Sequence, residues 1–290
     1  MPGAGADRPG VSAAAVLLAL ASAATWGTAD FCGGLVTRRV PAVPVTVISQ
    51  AAGFAALLLA LAAAGGGIDG HSFRIGLLAG LGGGIGLVSF YKALSLGTMS
   101  IVSPVVACGA VIPFALSLGT GERPGALPLA GAASALTGAV LASVVEGRSD
   151  VPDRVRSIAL AAVASITLGL FVYFTGLGSR EGNVLSTLVG ARVGSLGVLL
   201  LISLALREPL RVERRWLLPV AGVGLLDVSA NALFALATQH GLLSLVSVLG
   251  SLFPVMTLIL ARYVLGERLT RLQVLGVAAA IVGVAALSSG

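Results

Sequence analysis

The sequence predicts an all-α membrane protein of about ten transmembrane helices, arranged as two inverted five-helix repeats. Three observations predict it. Only 10% of the residues are charged and 57% are hydrophobic, against roughly 25% charged in a soluble domain. Apolar runs of about 20 residues, enough to cross a hydrocarbon core roughly 30 Å thick, recur along the whole chain, and the mean hydropathy is +1.02. Finally, residue patterns of the first half return in the second at a nearly constant offset.

Backbone amides in lipid must bond within their own segment, so each apolar run is expected to be a helix. The runs fall at 12–36, 43–64, 73–97, 100–119, 125–145, 155–177, 184–206, 215–238, 242–264 and 270–288. Gly, Pro and charged residues punctuate them: Arg38-Arg39 with Pro41, Gly65-Gly66-Gly67, Glu122-Arg123-Pro124, and the Arg207 to Arg215 cluster. The first run follows only one basic residue, Arg8, and exceeds the 7–15 apolar residues of a signal peptide, so it reads as the first span.

The repeat shows as pairs of positions. Gly27 with Gly169, Gln50 with Arg192, and Ala93-Leu94 with Ala235-Leu236 are each separated by 142 residues. Gly121-Glu122-Arg123 returns as Gly266-Glu267-Arg268 at an offset of 145, as do Gly131 and Gly138 in Gly276 and Gly283. The organisation is then an N-terminal tail over 1–11, a first repeat over 12–145, a linker over 146–154 and a second repeat over 155–290. Each repeat holds an odd number of spans, so the second enters the membrane from the opposite side. Inverted repeats of this kind place a solute site near the midplane between them and expose it alternately to the two sides.

Several chemistries lack their residues. The basic residues lie mostly in short loops, where they set orientation, so the pI near 10.3 does not indicate nucleic acid. His71 and His240 have no Cys or carboxylate at ligand spacing, which argues against a metal, and no cofactor motif is present. The serines within the spans have no histidine to activate them, and no catalytic residue is assigned. Cys32 and Cys108 read as small core residues. Without a P-loop, energy coupling falls to an ion gradient, with protons as the candidate ion.

Charges inside spans cost from about 2.5 kcal/mol upward and mark pathways or partners. Four occur, at Asp30, Lys92, Arg192 and Asp227. Asp30 and Lys92 reach similar depths toward one surface and could pair, or Lys92 could snorkel to that surface. Arg192 and Asp227 lie deeper, on consecutive helices, with opposite signs. They form either a solute site or a structural ion pair. Asn231 is one turn beyond Asp227 on the same face, and Gln50 is the neutral repeat counterpart of Arg192. Trp26, Phe31, Phe90, Tyr91, Phe171, Tyr173 and Phe234 are the aromatic cavity candidates, Trp26 foremost, with lipid-facing positions as the alternative. The glycines Gly76, Gly80, Gly82, Gly83, Gly84 and Gly86 read as a close-packing surface, Pro104, Pro113, Pro219 and Pro254 as kinks or gates, and the two Glu-Arg pairs as turn stabilisers.

Trp26-Gly27, Ala93-Leu94, Pro113 or Pro254, the duplicated Gly-Glu-Arg and the glycine-bearing last helix, in that order and over nearly the whole chain from residue 12, resemble the drug/metabolite transporter superfamily, its EamA group. The resemblance implies a secondary transporter, an exporter of small metabolites, amino acids or drug-like solutes, in a cell membrane, with Trp26 at the cavity. A flippase for a phosphorylated lipid carrier, with Arg192 as anion clamp, is the alternative; an intramembrane enzyme is a more distant one. Orientation has two readings. Four loop arginines lie on the side of the termini and twelve on the other, which places the termini outside, whereas the resemblance implies cytoplasmic termini.

Overall fold

The computed structural model describes residues 12–96, 102, 105–144, 154–207, 209–266 and 269–288. Among them ten helical elements follow one another: α1 (Ala13–Thr37), α2 (Ala42–Ala64), α3 (Gly70–Leu96), α4 (Val105–Gly119), α5 (Ala126–Ser143), α6 (Arg154–Arg180), α7 (Val184–Leu206), α8 (Arg214–Thr238), α9 (Leu243–Val264) and α10 (Arg271–Ser288). Eight of these are long and apolar enough to cross a membrane, with α4 and α5 shorter, and the described residues contain no strand. The chain is a multi-pass membrane protein.

Boundaries follow local chemistry. Ser12 caps α1 by accepting the Ala15 amide at 3.1 Å, and Asn183 caps α7 through the Ser186 amide at 2.9 Å. Asp69 accepts both the amide (2.8 Å) and the hydroxyl (2.5 Å) of Ser72 at the start of α3, satisfying orphan donors of the first turn. Those bonds, led by the Ser72 hydroxyl, hold the Asp69 carboxyl below its ordinary value of 3.8. Helix α2 ends on Gly65 in the left-handed region, φ 61°, where a Cβ would be strained.

Three elements depart from the sequence expectation. Helix α6 runs through to Arg180, which therefore sits in a last helical turn instead of a loop. Helix α4 tightens to a 3₁₀ turn at Cys108–Ala110, because Pro113 has no N–H to offer the carbonyl four residues back. The expected single span over 242–264 is broken: Leu243–Gly250 and Phe253–Val264 are separate helical segments joined by a turn at Ser251 and Leu252. Pro254, at the start of the second segment, cannot donate to the first. Pro104 and the pair Glu267-Arg268 lie outside the described residues.

The packing is interleaved. Helix α3 lies chiefly against α6 and α7, while α1 and α2 lie against α8. The two bundles, α3/α6/α7 and α8/α1/α2, exchange under the repeat operation that adds five to each helix number. Three further contacts obey the same operation: α2 meets α7, α4 meets the first segment of α9, and α5 meets α10. The repeat is thus a unit of sequence, whereas the units of packing each draw on both repeats.

Small residues set these distances. A Cβ on Gly76 or Gly80 would run into the carbonyls of Thr187 and Ala191 on α7, and one on Gly82 would lie 2.7 Å from the Thr167 carbonyl of α6. The α3 glycines are thus a two-sided close-packing surface, as the sequence leads one to expect. On the axis, Gly131 faces Gly283 and Gly138 faces Gly276, and Ser134 donates to the Ala279 carbonyl at 2.8 Å, 145 positions away. Residues equivalent by the repeat therefore touch each other, as they must where a twofold axis passes between their helices.

Candidate functional site

The same rule places the polar centre. Gln50 and Arg192 are each the ninth residue of their helix, α2 and α7, and these helices enter from opposite faces. At 1.5 Å per residue each is about 12 Å in, near the middle of a roughly 30 Å core. There the Arg192 Nη1 donates to Gln50 Oε1, and Nη2 donates to Asp227 Oδ2 of α8 at 2.6 Å. Gln50 Nε2 donates to the same Oδ2 at 3.2 Å, closing a triangle of one cation, one anion and one amide. Ser195, one turn along α7, donates to Gln50 Oε1 at 3.1 Å.

Backbone approach makes room for this triangle. A Cβ on Gly224 would collide with the Ser49 carbonyl, and one on Gly53 would lie 2.9 Å from the Gly224 carbonyl and 3.7 Å from the Arg192 guanidinium carbon. Glycine at 53 thus answers to the Gly224 carbonyl, and the guanidinium lies beside it at ordinary contact distance. Gly53 is also the repeat counterpart of Ser195, so one copy supplies a hydroxyl where the other supplies a void.

Burial is unequal within the pair: the Arg192 side chain is 6% exposed and that of Asp227 24%. Asp227 is therefore the more open member of the triangle, on the helix against which α1, the helix of Asp30, packs. Tyr91 is buried against Phe90, with ring centroids 5.5 Å apart, and a Cβ on Gly33 would lie 2.8 Å from its hydroxyl. Arg192 has Gln50 and Asp227 as its side-chain partners. Asn231 Nδ2 donates to the Asp227 carbonyl at 2.6 Å, and its buried Oδ1 has no protein partner, which leaves an acceptor at the cluster.

The other expected site residues lie elsewhere. Trp26 stacks on Phe234 at 5.6 Å within the apolar core beside Gly250. Lys92 is exposed near the end of α3. Tyr173 lines a cavity of about 780 Å³ on the side of the termini, together with Ser117, Glu122, Arg180 and Leu243. Sequence reasoning missed Ser195 and Gly53. The offset of 142 applied to the neighbours of Arg192 holds the signal for both.

A membrane protein of ten helices in two inverted repeats, with a charged cluster where the repeats cross, has the architecture of a transporter. The chain belongs to the EamA-like transporter family, whose model matches residues 13–144 and again 155–289, and it is a membrane transporter of the drug/metabolite type. A crystal structure of a protein at 21% identity shares its fold, with a TM-score of 0.74 over 95% of this chain and 96% of that one. No curated protein matches the sequence.

Proposed function

We propose that the chain is a secondary exporter of small amine-bearing or zwitterionic solutes in a cell membrane, working by alternating access around the Arg192–Asp227–Gln50 triangle. The observation that carries this is a charge cluster at mid-membrane, on the repeat axis, joining α7 of one bundle to α2 and α8 of the other. An intramembrane charge pair built only for packing needs no further carboxylate, yet a second one, Asp30, lies within α1, which packs on the helix of Asp227. The carboxylates of Asp30 and Asp227 are the groups that would receive a solute's positive centre.

In this reading Asp30 and Asp227 hold the solute's cationic group, and Asn231 Oδ1 accepts from it. Gln50 and Arg192 orient Asp227, and Trp26, Tyr173 and Lys92 line the routes in and out. The repeats 12–145 and 155–290 are the duplicated units, while the interleaved bundles α3/α6/α7 and α8/α1/α2 are the bodies that rock. Arg192 is already matched by Asp227, which weighs against its use as a clamp for a lipid phosphate. The test is uptake and efflux of a solute panel in proteoliposomes, with and without a proton gradient. Arg192→Ala and Asp227→Ala should each abolish the transport seen with the parent protein, and wild-type rates in both remove the triangle from the site.

A further inference from the structure

At the opposite end of the molecule from Asp30, one carboxylate joins three elements. Glu122, in the turn between α4 and α5, accepts the Leu243 amide on Oε1 at 2.9 Å and the Ser244 amide on Oε2 at 2.8 Å. It thereby caps the first segment of α9, a position where a carboxylate meets both orphan donors and the positive end of the helix dipole. Its Oε1 also receives Arg180, from the last turn of α6. Glu122 belongs to the first repeat, and the partners of its carboxylate, Arg180, Leu243 and Ser244, belong to the second. Its side chain is 9% exposed and that of Arg180 41%, so the carboxylate is the inner member and the guanidinium closes over it.

The segment it caps is mechanically distinct. Leu243–Gly250 is a helix of eight residues, every one of them buried, hinged from the rest of α9 by the turn at Ser251 and Leu252. One end of the segment is therefore hinged and the other is pinned. The 780 Å³ cavity includes Glu122, Arg180 and Leu243 in its wall and ends inward at Ser117 and Tyr173. Ser117 lines it while being 1% exposed and without a hydrogen-bond partner, and Ser244 Oγ, on the pinned turn, is likewise buried and unpartnered. Of the two, Ser117 lies in the cavity wall, where a hydroxyl without a protein partner gains one when the cavity admits water. The other bond from the N-terminal end of α1 to this segment's entrance loop, Ser12 Oγ donating to the His240 carbonyl at 2.8 Å, is neutral and exposed.

We infer that Glu122 is a gating residue of the transport cycle: with Arg180 it latches the Leu243–Gly250 segment over the termini-side entrance, and release of the latch lets that segment swing about Ser251–Leu252 and opens the cavity inward. The inference rests on the transport reading for its purpose and on Glu122 geometry for its mechanism. Opening on this side should close the other, where Asp30 lies, because the central helices serve both entrances. The segment's own contacts are otherwise apolar, so the charged latch is the element that a change of state must break.

The experiment reads solvent access in the full-length protein in nanodiscs, where both faces meet the reagent. In a background with Cys32 and Cys108 replaced by alanine, one variant carries Ser117→Cys, a near-isosteric change at a hydroxyl with no partner. Another carries Gly34→Cys, one turn beyond Asp30, where a Cβ meets no atom within 4 Å. Reaction with a charged maleimide is timed with and without Glu122→Gln, which keeps the shape and removes the charge. Hydrogen bonds to charged groups contribute about 1.5–3 kcal/mol, so the Ser117→Cys site should react about tenfold faster in Glu122→Gln and the Gly34→Cys site correspondingly slower. Should Glu122→Gln not yield folded protein, Arg180→Ala, altering only the outer member, must show the same paired change. Faster reaction at Ser117→Cys with none slower at Gly34→Cys marks a plain structural cap and overturns the inference, as does no change at either. Because the readout is access, it stands apart from the solute panel: loss or retention of transport in Arg192→Ala judges the site and leaves the latch to this measurement.

Discussion

Removing one member of the Arg192–Asp227 pair should damage the fold more than removing both, and the two single substitutions should be unequal. In Asp227→Ala the guanidinium, 6% exposed, keeps only the Gln50 carbonyl oxygen and is left as a buried charge without a counterion, at about 3–5 kcal/mol. In Arg192→Ala the carboxylate is 24% exposed and retains the Gln50 amide at 3.2 Å, so the cost falls nearer the roughly 1–3 kcal/mol of an under-satisfied polar group. The double substitution leaves Gln50 bonded to Ser195 and no charge behind, which gives a coupling of about 2–4 kcal/mol. The assay is thermal unfolding of the four proteins in one detergent, followed by size-exclusion fluorescence. Asp227→Ala should lower the midpoint by on the order of 10 °C, Arg192→Ala by less, and the double by less than Asp227→Ala. Additive effects, or an order in which Arg192→Ala is the worse single variant, refute the argument.

Four shorter predictions come from other parts of the molecule. Proton coupling through Asp30 predicts that Asp30→Asn, with Asp227 kept to receive the solute's cation, slows transport and removes its pH dependence; a pH profile unchanged from the parent rejects it. Gly80→Ala places a methyl on the Ala191 carbonyl and 2.8 Å from the Ser195 amide, and overpacking of this kind costs about 1–3 kcal/mol, whereas Gly197→Ala meets nothing within 4 Å and should unfold like the parent. Asp69 is held below 3.8 by Ser72, so its folded value lies below its unfolded one; the cap is fully present above about pH 4 and is lost as pH falls through the folded value. Asp69→Asn should therefore flatten the acid limb of the stability curve, and an identical limb in the variant counts against the cap. A cysteine at Arg211, labelled from outside intact cells, decides orientation: the arginine distribution requires protection and the family resemblance requires modification.

The sequence discloses the helices because lipid imposes one rule on every span, and it discloses the repeat because two positions 142 apart must perform the same packing task. Arg192 and Asp227 are legible for the same reason, since charge at mid-membrane is too costly to be incidental. What is not legible depends on approach between distant segments. The break at Ser251 and Leu252 is hidden inside an unbroken apolar run, because whether Pro254 bends or interrupts a helix depends on its neighbours. Glu122 looks like half of a local turn with Arg123, and only the folded chain shows its partners on α6 and α9, 58 and more positions away. The interleaving of α3 with α6 and α7 is similarly invisible, because each glycine on α3 announces a close neighbour without saying which.

The contact between Gln50 and Arg192 has a consequence for how such a protein could be built. Where an axis relates two copies of one sequence, a position on that axis meets its own twin, and a single gene would set arginine against arginine or glutamine against glutamine. Two like cations in a dry centre repel; two amides bind but carry no charge. Joining both copies in one chain lets the twins diverge, so that Gln50 accepts from Arg192 and Asp227, whose counterpart position holds Ile85, balances the charge from one bundle alone. The centre is thereby polarised along a line that the backbone leaves symmetric. In the proposed site, a solute approaching from one face would meet Asp30 before Arg192 and one approaching from the other would not, so duplication within one chain can give a two-sided scaffold a built-in sense of direction.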